Sequence, residues 1–127
     1  MKIHHIAVYV RDLEKTRGFY EKYFSAKANV LHHNPKTGLK TYFLSFENDV
    51  RLEIMTKPGI TTFDNSKEGL GYTHLALSVG DKESVDNLTD RIRNDGYVVF
   101  SEPRTTSDGY YESCVSDPDG NRIEIVV

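Results

Sequence analysis

The sequence predicts an α+β fold of two tandem βαβββ modules, which form a curved mixed sheet with the helices on its outer face and the opposite face concave. The main observation is an internal repeat, which is sought before any other pattern. The strand-like residues around His5 recur around His74. The run RLEI at residues 51–54 recurs as RIEI at residues 122–125. Two matches in the same order, at nearly the same offset, indicate that one module is used twice.

The second observation concerns domain organisation. At 127 residues the chain has the size of one ordinary domain. We expect a single domain over residues 1–127, built from a module at residues 1–56 and a module at residues 72–127. The connector, residues 57–71, contains Pro58 and three glycines and shows no hydrophobic period, as is typical of a loop.

The third observation is that each module begins with a strand whose two faces differ. Side chains of a strand alternate between its faces, so a strand over residues 3–10 places His5 opposite its branched apolar residues. The strand that begins the second module places His74 in the same way. The apolar residues on the other face of the two strands are Ile6, Val8, Val10, Leu75, Leu77 and Val79.

A helix follows each of these strands. Asp12 has the position of an N-cap, and the helix after it runs to about Phe24. Asp81 is the equivalent cap in the second module, and Gly96 is the expected stop of that helix. Each helix carries an apolar stripe, so we expect it to cover the apolar face of its first strand.

Three further strands complete each module, because turn residues separate three strand-like runs after each helix. The predicted strands are residues 28–33, 40–47, 50–55, 97–101, 110–116 and 122–127. In the last strand of each module, Glu53 and Glu124 alternate with apolar residues. Both carboxylates therefore point away from the core.

Four residues thus leave the core at equivalent positions of the two modules and are the candidate metal ligands: His5, Glu53, His74 and Glu124. Equivalent positions converge if the modules pack about a pseudo-twofold axis. Two imidazoles and two carboxylates suit one divalent ion such as Ni²⁺, Zn²⁺, Co²⁺, Fe²⁺ or Mn²⁺. An octahedral ion would keep two positions for substrate oxygens, whereas a four-coordinate zinc would be closed and structural. The residues leave both possibilities open.

Other polar residues fit this pattern less well. His4 falls one residue out of register, on the apolar side, and we expect it to fray at the chain start. His32 and His33 precede a turn and have no repeat partners, which favours a surface position. Four further residues share the ligand face and are candidate pocket residues: Tyr9, Arg51, Ser78 and Arg122.

Composition excludes several classes of function. A net charge of −3 and the lack of a basic stripe argue against nucleic-acid binding. No apolar run approaches the roughly 20 residues that span a bilayer, and the first residues do not form a secretory signal. The single cysteine, Cys114, allows no internal disulfide and fits a reducing, cytoplasmic compartment. It lies in a strand-like run, which favours a buried, apolar role.

Three motifs resemble the vicinal oxygen chelate superfamily: residues 5–13, residues 74–79 and residues 117–124. Its members include glyoxalase I, methylmalonyl-CoA epimerases, fosfomycin-resistance thiol transferases, extradiol dioxygenases and bleomycin-binding proteins. Within the superfamily, the sequence is most similar to glyoxalase I, whose ligands are His, Glu, His and Glu. The matching residues of this chain are His5, Glu53, His74 and Glu124.

The resemblance to glyoxalase I implies a lyase or isomerase that acts on an α-oxygenated carbonyl, such as a hemithioacetal, through a metal-stabilised enediolate. It implies that a ligand carboxylate moves the proton, with Glu124 the first choice for this base and Glu53 the second. It also implies a small-molecule substrate, such as a thiol adduct, and a homodimer. In that dimer, His5 and Glu53 of one chain would meet His74 and Glu124 of the other.

Two positions depart from the glyoxalase I pattern. Tyr9 stands where bacterial enzymes usually carry an arginine that holds glutathione, and Lys57 stands where they usually carry an asparagine. Another thiol or another 1,2-dioxygenated substrate is as plausible as glutathione. The alternatives on the same scaffold are a thiol transferase, an extradiol-type dioxygenase or a non-catalytic dimer that binds a small molecule.

Overall fold

The computed structural model describes residues 1–47, 49–62, 64 and 69–127. The chain divides into two compact units, Met1–Phe63 and Asp64–Val127. The described residues of each unit form one helix and one sheet, in the order strand, helix, strands. None of the helices formed by the described residues is long and apolar enough to cross a bilayer.

The first unit contains a mixed sheet and one helix. Its elements are β1 (His5–Tyr9), α1 (Leu13–Phe24), β2 (Lys27–Ala28), β3 (His32–Asn34), β4 (Leu39–Ser45) and β5 (Arg51–Thr56). The strand order is β1-β5-β4-β2, and β3 also pairs with β4. β1 runs parallel to β5, while the other pairs are antiparallel.

The second unit repeats this plan. Its elements are β6 (His74–Ser78), α2 (Lys82–Asn94), β7 (Val99–Thr105), β8 (Tyr111–Ser116) and β9 (Arg122–Val126). The strand order is β6-β9-β8-β7, and β6 runs parallel to β9. Two mixed sheets with one helix each confirm the predicted α+β class and the duplicated strand–helix–strands plan.

Both helices begin at the predicted aspartates. The Asp12 carboxylate accepts a hydrogen bond from the Lys15 backbone N–H at 2.9 Å, and Asp81 accepts one from the Ser84 N–H at 2.7 Å. Each cap satisfies a donor that the first helical turn leaves unpaired. α2 ends before Gly96, whose φ of 91° is the left-handed conformation that glycine adopts without strain.

The core of each unit lies between its helix and the central strands of its sheet. α1 packs mainly on β4 and β5, and α2 packs on β7, β8 and β9. The prediction that each helix covers its first strand is therefore wrong in part. Ile6 on β1 stays 37% exposed, whereas Leu44 on β4 and Ile54 on β5 are fully buried. β1 and β6 lie at an edge of their sheets, and each helix packs on strands farther from that edge.

Two predicted strands have different bounds in the structure. The strand expected at residues 28–33 is broken into β2 and β3. At the break, the Asn29 backbone N–H still donates to the Phe43 carbonyl, but the Phe43 N–H donates to the Asn29 side chain and not to its backbone. The strand expected at residues 97–101 is β7, which continues through Pro103 with register shifts. Proline is tolerated there because β7 is an edge strand.

Candidate functional site

Strand pairing brings the first predicted His–Glu pair together. In the parallel ladder of β1 and β5, His5 lies opposite Arg51 and Ala7 opposite Glu53, so these side chains share one face of the sheet. Nε2 of His5 lies 3.6 Å from Oε2 of Glu53. The His5 side chain is 37% exposed and that of Glu53 is 17% exposed. The pair is therefore open to a ligand on the side away from the core.

The second unit forms the same pair by the same register. His74 lies opposite Arg122 and Ala76 opposite Glu124 in the ladder of β6 and β9. Nε2 of His74 lies 3.1 Å from Oε2 of Glu124, and the two side chains are 39% and 20% exposed. Each unit thus presents one imidazole nitrogen and one carboxylate oxygen on an accessible sheet face.

The pair in each unit is half of the predicted four-ligand set. Within each unit, the described residues contain no group of three or more His, Cys, Asp or Glu side chains that could hold an ion. One nitrogen and one oxygen donor are of the types that borderline divalent metals accept. Each pair therefore supplies two donors of suitable chemistry and one negative charge.

The environment of Glu124 favours a nearby cation. Burial raises the pKa of Glu124, and the neighbouring carboxylate of Glu112 raises it further, while His74 lowers it. A carboxylate that is costly to ionise in isolation gains most from a positive charge beside it. This local electrostatics fits a metal ligand.

The histidine nitrogens that face away from the glutamates are also hydrogen-bonded. The Nδ1 atoms of His4 and His5 are 2.8 Å apart, and Nδ1 of His74 lies 2.8 Å from the hydroxyl oxygen of Thr73. Thr73 precedes His74 as His4 precedes His5, so the two partners are equivalent in the repeat. A partner on one ring nitrogen orients the imidazole and directs Nε2 to the other side.

His4 therefore differs from the prediction. The sequence predicts that it frays on the apolar side, but its Nε2 accepts a hydrogen bond from Nη2 of Arg51 at 2.8 Å. Because it precedes β1, the strand alternation does not govern its side chain. The repeat, which pairs His4 with Thr73, is the signal that could have found this role. The surface prediction for His32 and His33 is confirmed, since both are exposed on β3.

Cys114 is buried, as predicted, but it lies on the ligand face. It is opposite Glu124 in the ladder of β8 and β9, so its side chain points to the same side. Burial raises the pKa of its thiol, and the charge of Glu124 adds to this effect. A thiol in this state is a poor nucleophile at neutral pH.

The fold and the site define a class of protein. Its members repeat a strand–helix–strands module and carry one His–Glu pair on each sheet. Residues 2–125 match the sequence profile of the Glyoxalase/Bleomycin resistance protein/Dioxygenase superfamily. Since the match covers almost the whole chain, the protein belongs to this superfamily. The resemblance seen in the sequence motifs is confirmed.

Three similar proteins show the range of named activities. A "Probable trivalent organoarsenical cleaving enzyme" of Bacillus subtilis (strain 168) is 31% identical over 98% of this chain and 78% of its own length. A lactoylglutathione lyase of Salmonella typhimurium is 27% identical over 99% of this chain and 92% of its own. The crystal structure of a glyoxalase I mutant from Zea mays superposes with a TM-score of 0.81 at 25% identity over 98% of this chain. The chain spans only 44% of that maize protein.

Proposed function

We propose that this protein is a metal-dependent lyase or isomerase of the glyoxalase I type, acting on an α-oxygenated carbonyl substrate such as a hemithioacetal. The observation that carries the proposal is the His–Glu pair that strand register forms in each unit. Membership of the superfamily and similarity to a protein named lactoylglutathione lyase support it. The single cysteine and the acidic composition fit a cytoplasmic enzyme.

Four residues would hold one divalent ion: His5, Glu53, His74 and Glu124. Ni²⁺, Zn²⁺, Co²⁺, Fe²⁺ and Mn²⁺ all suit this donor set. When bound, the ion would supply the positive charge that stabilises negative charge developing on two adjacent substrate oxygens. Because each unit supplies one pair, we propose a homodimer in which His5 and Glu53 of one chain complete the site with His74 and Glu124 of the other.

Glu124 is the proposed base. Its carboxylate takes the proton from the hydroxyl-bearing carbon beside the carbonyl and returns it to the former carbonyl carbon. The hydroxyl proton passes from the first oxygen to the second, so the hydroxyl and the carbonyl exchange places. Burial raises the pKa of Glu124, which makes its carboxylate a stronger base than that of an exposed glutamate. Glu53 is the equivalent carboxylate of the first unit and the second choice for this role.

Metal analysis of the purified protein, followed by activity assays, tests this function. We expect about one divalent ion per pair of units, and we expect His5→Ala and His74→Ala each to weaken its binding. His32→Ala is the matched control, since His32 is exposed on β3. The metal-loaded protein is then assayed with methylglyoxal and a panel of thiols, by following formation of the thioester.

Each alternative function has its own outcome in this series. Oxygen uptake with catechol and Fe²⁺ would identify a dioxygenase, and protein-dependent addition of a thiol to an epoxide would identify a transferase. Bound metal with turnover of none of these substrates would favour a small-molecule binding protein. A protein that binds no divalent ion would overturn the proposal.

A further inference from the structure

A second repeated feature lies on the face that carries the His–Glu pairs. Arg51 is opposite His5 in its parallel ladder, and Arg122 is opposite His74. Each guanidinium lies over a phenylalanine ring, with the carbon Cζ 4.4 Å from the ring centroid in both units. Both arginines are half-buried. The two units thus hold an arginine beside the predicted ligands in the same manner.

The rings that support these arginines come from non-equivalent positions. Arg51 stacks on Phe43 of β4, whereas Arg122 stacks on Phe100 of β7. The equivalent of Phe43 in the second unit is the small residue Cys114, since Phe43 lies opposite Glu53 as Cys114 lies opposite Glu124. Duplication explains why both units have the arginine, but it does not explain the second ring. Each unit thus stacks its arginine on a ring from a different position, which indicates that the fixed guanidinium has a function of its own.

In the described part of the chain, these arginines also lack the partner that usually neutralises a guanidinium. Arg51 donates to Nε2 of His4 at 2.8 Å. Among the described residues, neither arginine forms an ion pair with a carboxylate. Arg17 on α1 is the contrast, because it lies over the Tyr42 ring but pairs with Glu14 at 3.0 Å. A stacked guanidinium uses its face, so the N–H donors at its edge stay available to a ligand.

We propose that Arg51 and Arg122 are anion subsites, and that the substrate carries a carboxylate-type oxyanion in addition to its two adjacent oxygens. This inference rests on the proposed function, since it extends the substrate of the same site. A guanidinium edge matches a carboxylate with two parallel hydrogen bonds. Each arginine lies two residues before its glutamate on one strand, a separation of about 7 Å. The oxyanion is therefore a few bonds away from the oxygens that face the His–Glu pairs.

A pair of hydroxamates separates the two parts of the site. Acetohydroxamate and succinic acid monohydroxamate present the same two adjacent oxygens, but only the second carries a carboxylate. Calorimetric titration of the nickel-loaded wild-type protein should show that the carboxylated compound binds about tenfold more tightly, the effect expected of one charge-assisted hydrogen-bonded pair.

Substitution of the arginines should remove this preference. In Arg51→Gln with Arg122→Gln, we expect the two hydroxamates to bind equally. Both compounds are titrated at saturating nickel, so that loss of the contact between Arg51 and His4 affects the two affinities alike. Arg51→Lys with Arg122→Lys, which keeps the charge but loses the planar edge, should retain part of the preference. Arg17→Gln is the matched control and should keep all of it. An unchanged preference in the double glutamine variant would overturn the inference.

Absence of hydroxamate binding to the nickel-loaded wild-type protein would count against the proposed function instead. In that case, succinate is titrated into the metal-free protein and followed by NMR of the arginine Nε–H groups. Shifts at Arg51 and Arg122 that disappear in the glutamine variants would support the anion subsites. Wild-type spectra that do not change would refute them.

Discussion

Replacement of Glu124 by glutamine removes the proposed base with the smallest possible change of shape. The amide keeps an oxygen donor in the same place but cannot take up a proton. A positioned general base typically contributes about 10²–10⁴-fold to a rate. We therefore expect Glu124→Gln to lower kcat by at least about a hundredfold, equivalent to about 2.7 kcal/mol of activation free energy.

The structure indicates that this loss should be chemical and not structural. Glu124 lies on β9 between Ile123 and Ile125, which are buried in the core, while its own side chain points to the opposite face. Its carboxylate contacts His74, and burial raises its pKa, so the glutamine relieves a desolvation cost. The melting temperature should change little, because no core contact is lost.

The assay follows thioester formation at saturating divalent metal, so that weaker metal binding by the variant does not limit its rate. Glu112→Gln is the matched control, because Glu112 lies on β8 on the same sheet face and pairs with Arg104 at 3.5 Å. The Glu112→Gln substitution should reduce kcat by less than about tenfold, because Glu112 is a charge near the base and not the base itself. Full activity in Glu124→Gln would refute the assignment of the base.

Three further predictions concern the second unit. Thr73→Val should weaken metal binding by about 10–100-fold, because His74 loses the partner of its Nδ1. Thr73→Ser keeps the hydroxyl and should retain the metal affinity. Competition with a metal-binding dye measures the affinity of both variants. Asp81→Ala should lower the melting temperature at pH 7. The hydrogen bonds of the cap lower the pKa of Asp81 below 3.8, so its charged form stabilises the fold above that pH and the stabilisation is lost as the pH falls through the folded-state pKa. The difference in melting temperature between wild type and Asp81→Ala should therefore become smaller in acid. A difference that is independent of pH would contradict this. Asp81→Asn should keep most of the stabilisation by the cap. Ile125→Ala should reduce the free energy of unfolding, measured in urea, by about 2–5 kcal/mol. Ile60→Ala, at an exposed position, should change it only slightly. Equal effects of the two substitutions would show that Ile125 is not in the core.

Much of the candidate site could be predicted because strand alternation is a strict rule. A period of two places His5 and Glu53 on the face opposite the apolar residues, whatever the exact bounds of the strands. The repeat then places His74 and Glu124 in the same way, and parallel pairing of the first and last strands brings each His–Glu pair together. The four-ligand set itself stays a prediction.

The prediction failed where alternation does not apply. His4 precedes β1, so its contact with Arg51 depends on loop conformation. The strand expected at residues 28–33 is broken at Asn29, whose side chain accepts the hydrogen bond from the Phe43 backbone N–H. The helices pack mainly on strands other than the first strand of each unit: α1 on β4 and β5, and α2 on β8 and β7.

The sequence by itself therefore determined the duplicated α+β plan, the helix caps and the face on which each candidate ligand lies, since these depend on short-range periodicity. The tertiary structure decided two sets of contacts: the hydrogen bonds of His4 and Thr73 to the neighbouring histidines, and the rings under Arg51 and Arg122. Those contacts are made by side chains distant in sequence, or at positions outside a strand, whose directions no local period specifies. Phe100 illustrates the reason, because only packing of β7 against β8 brings this ring to an arginine on β9.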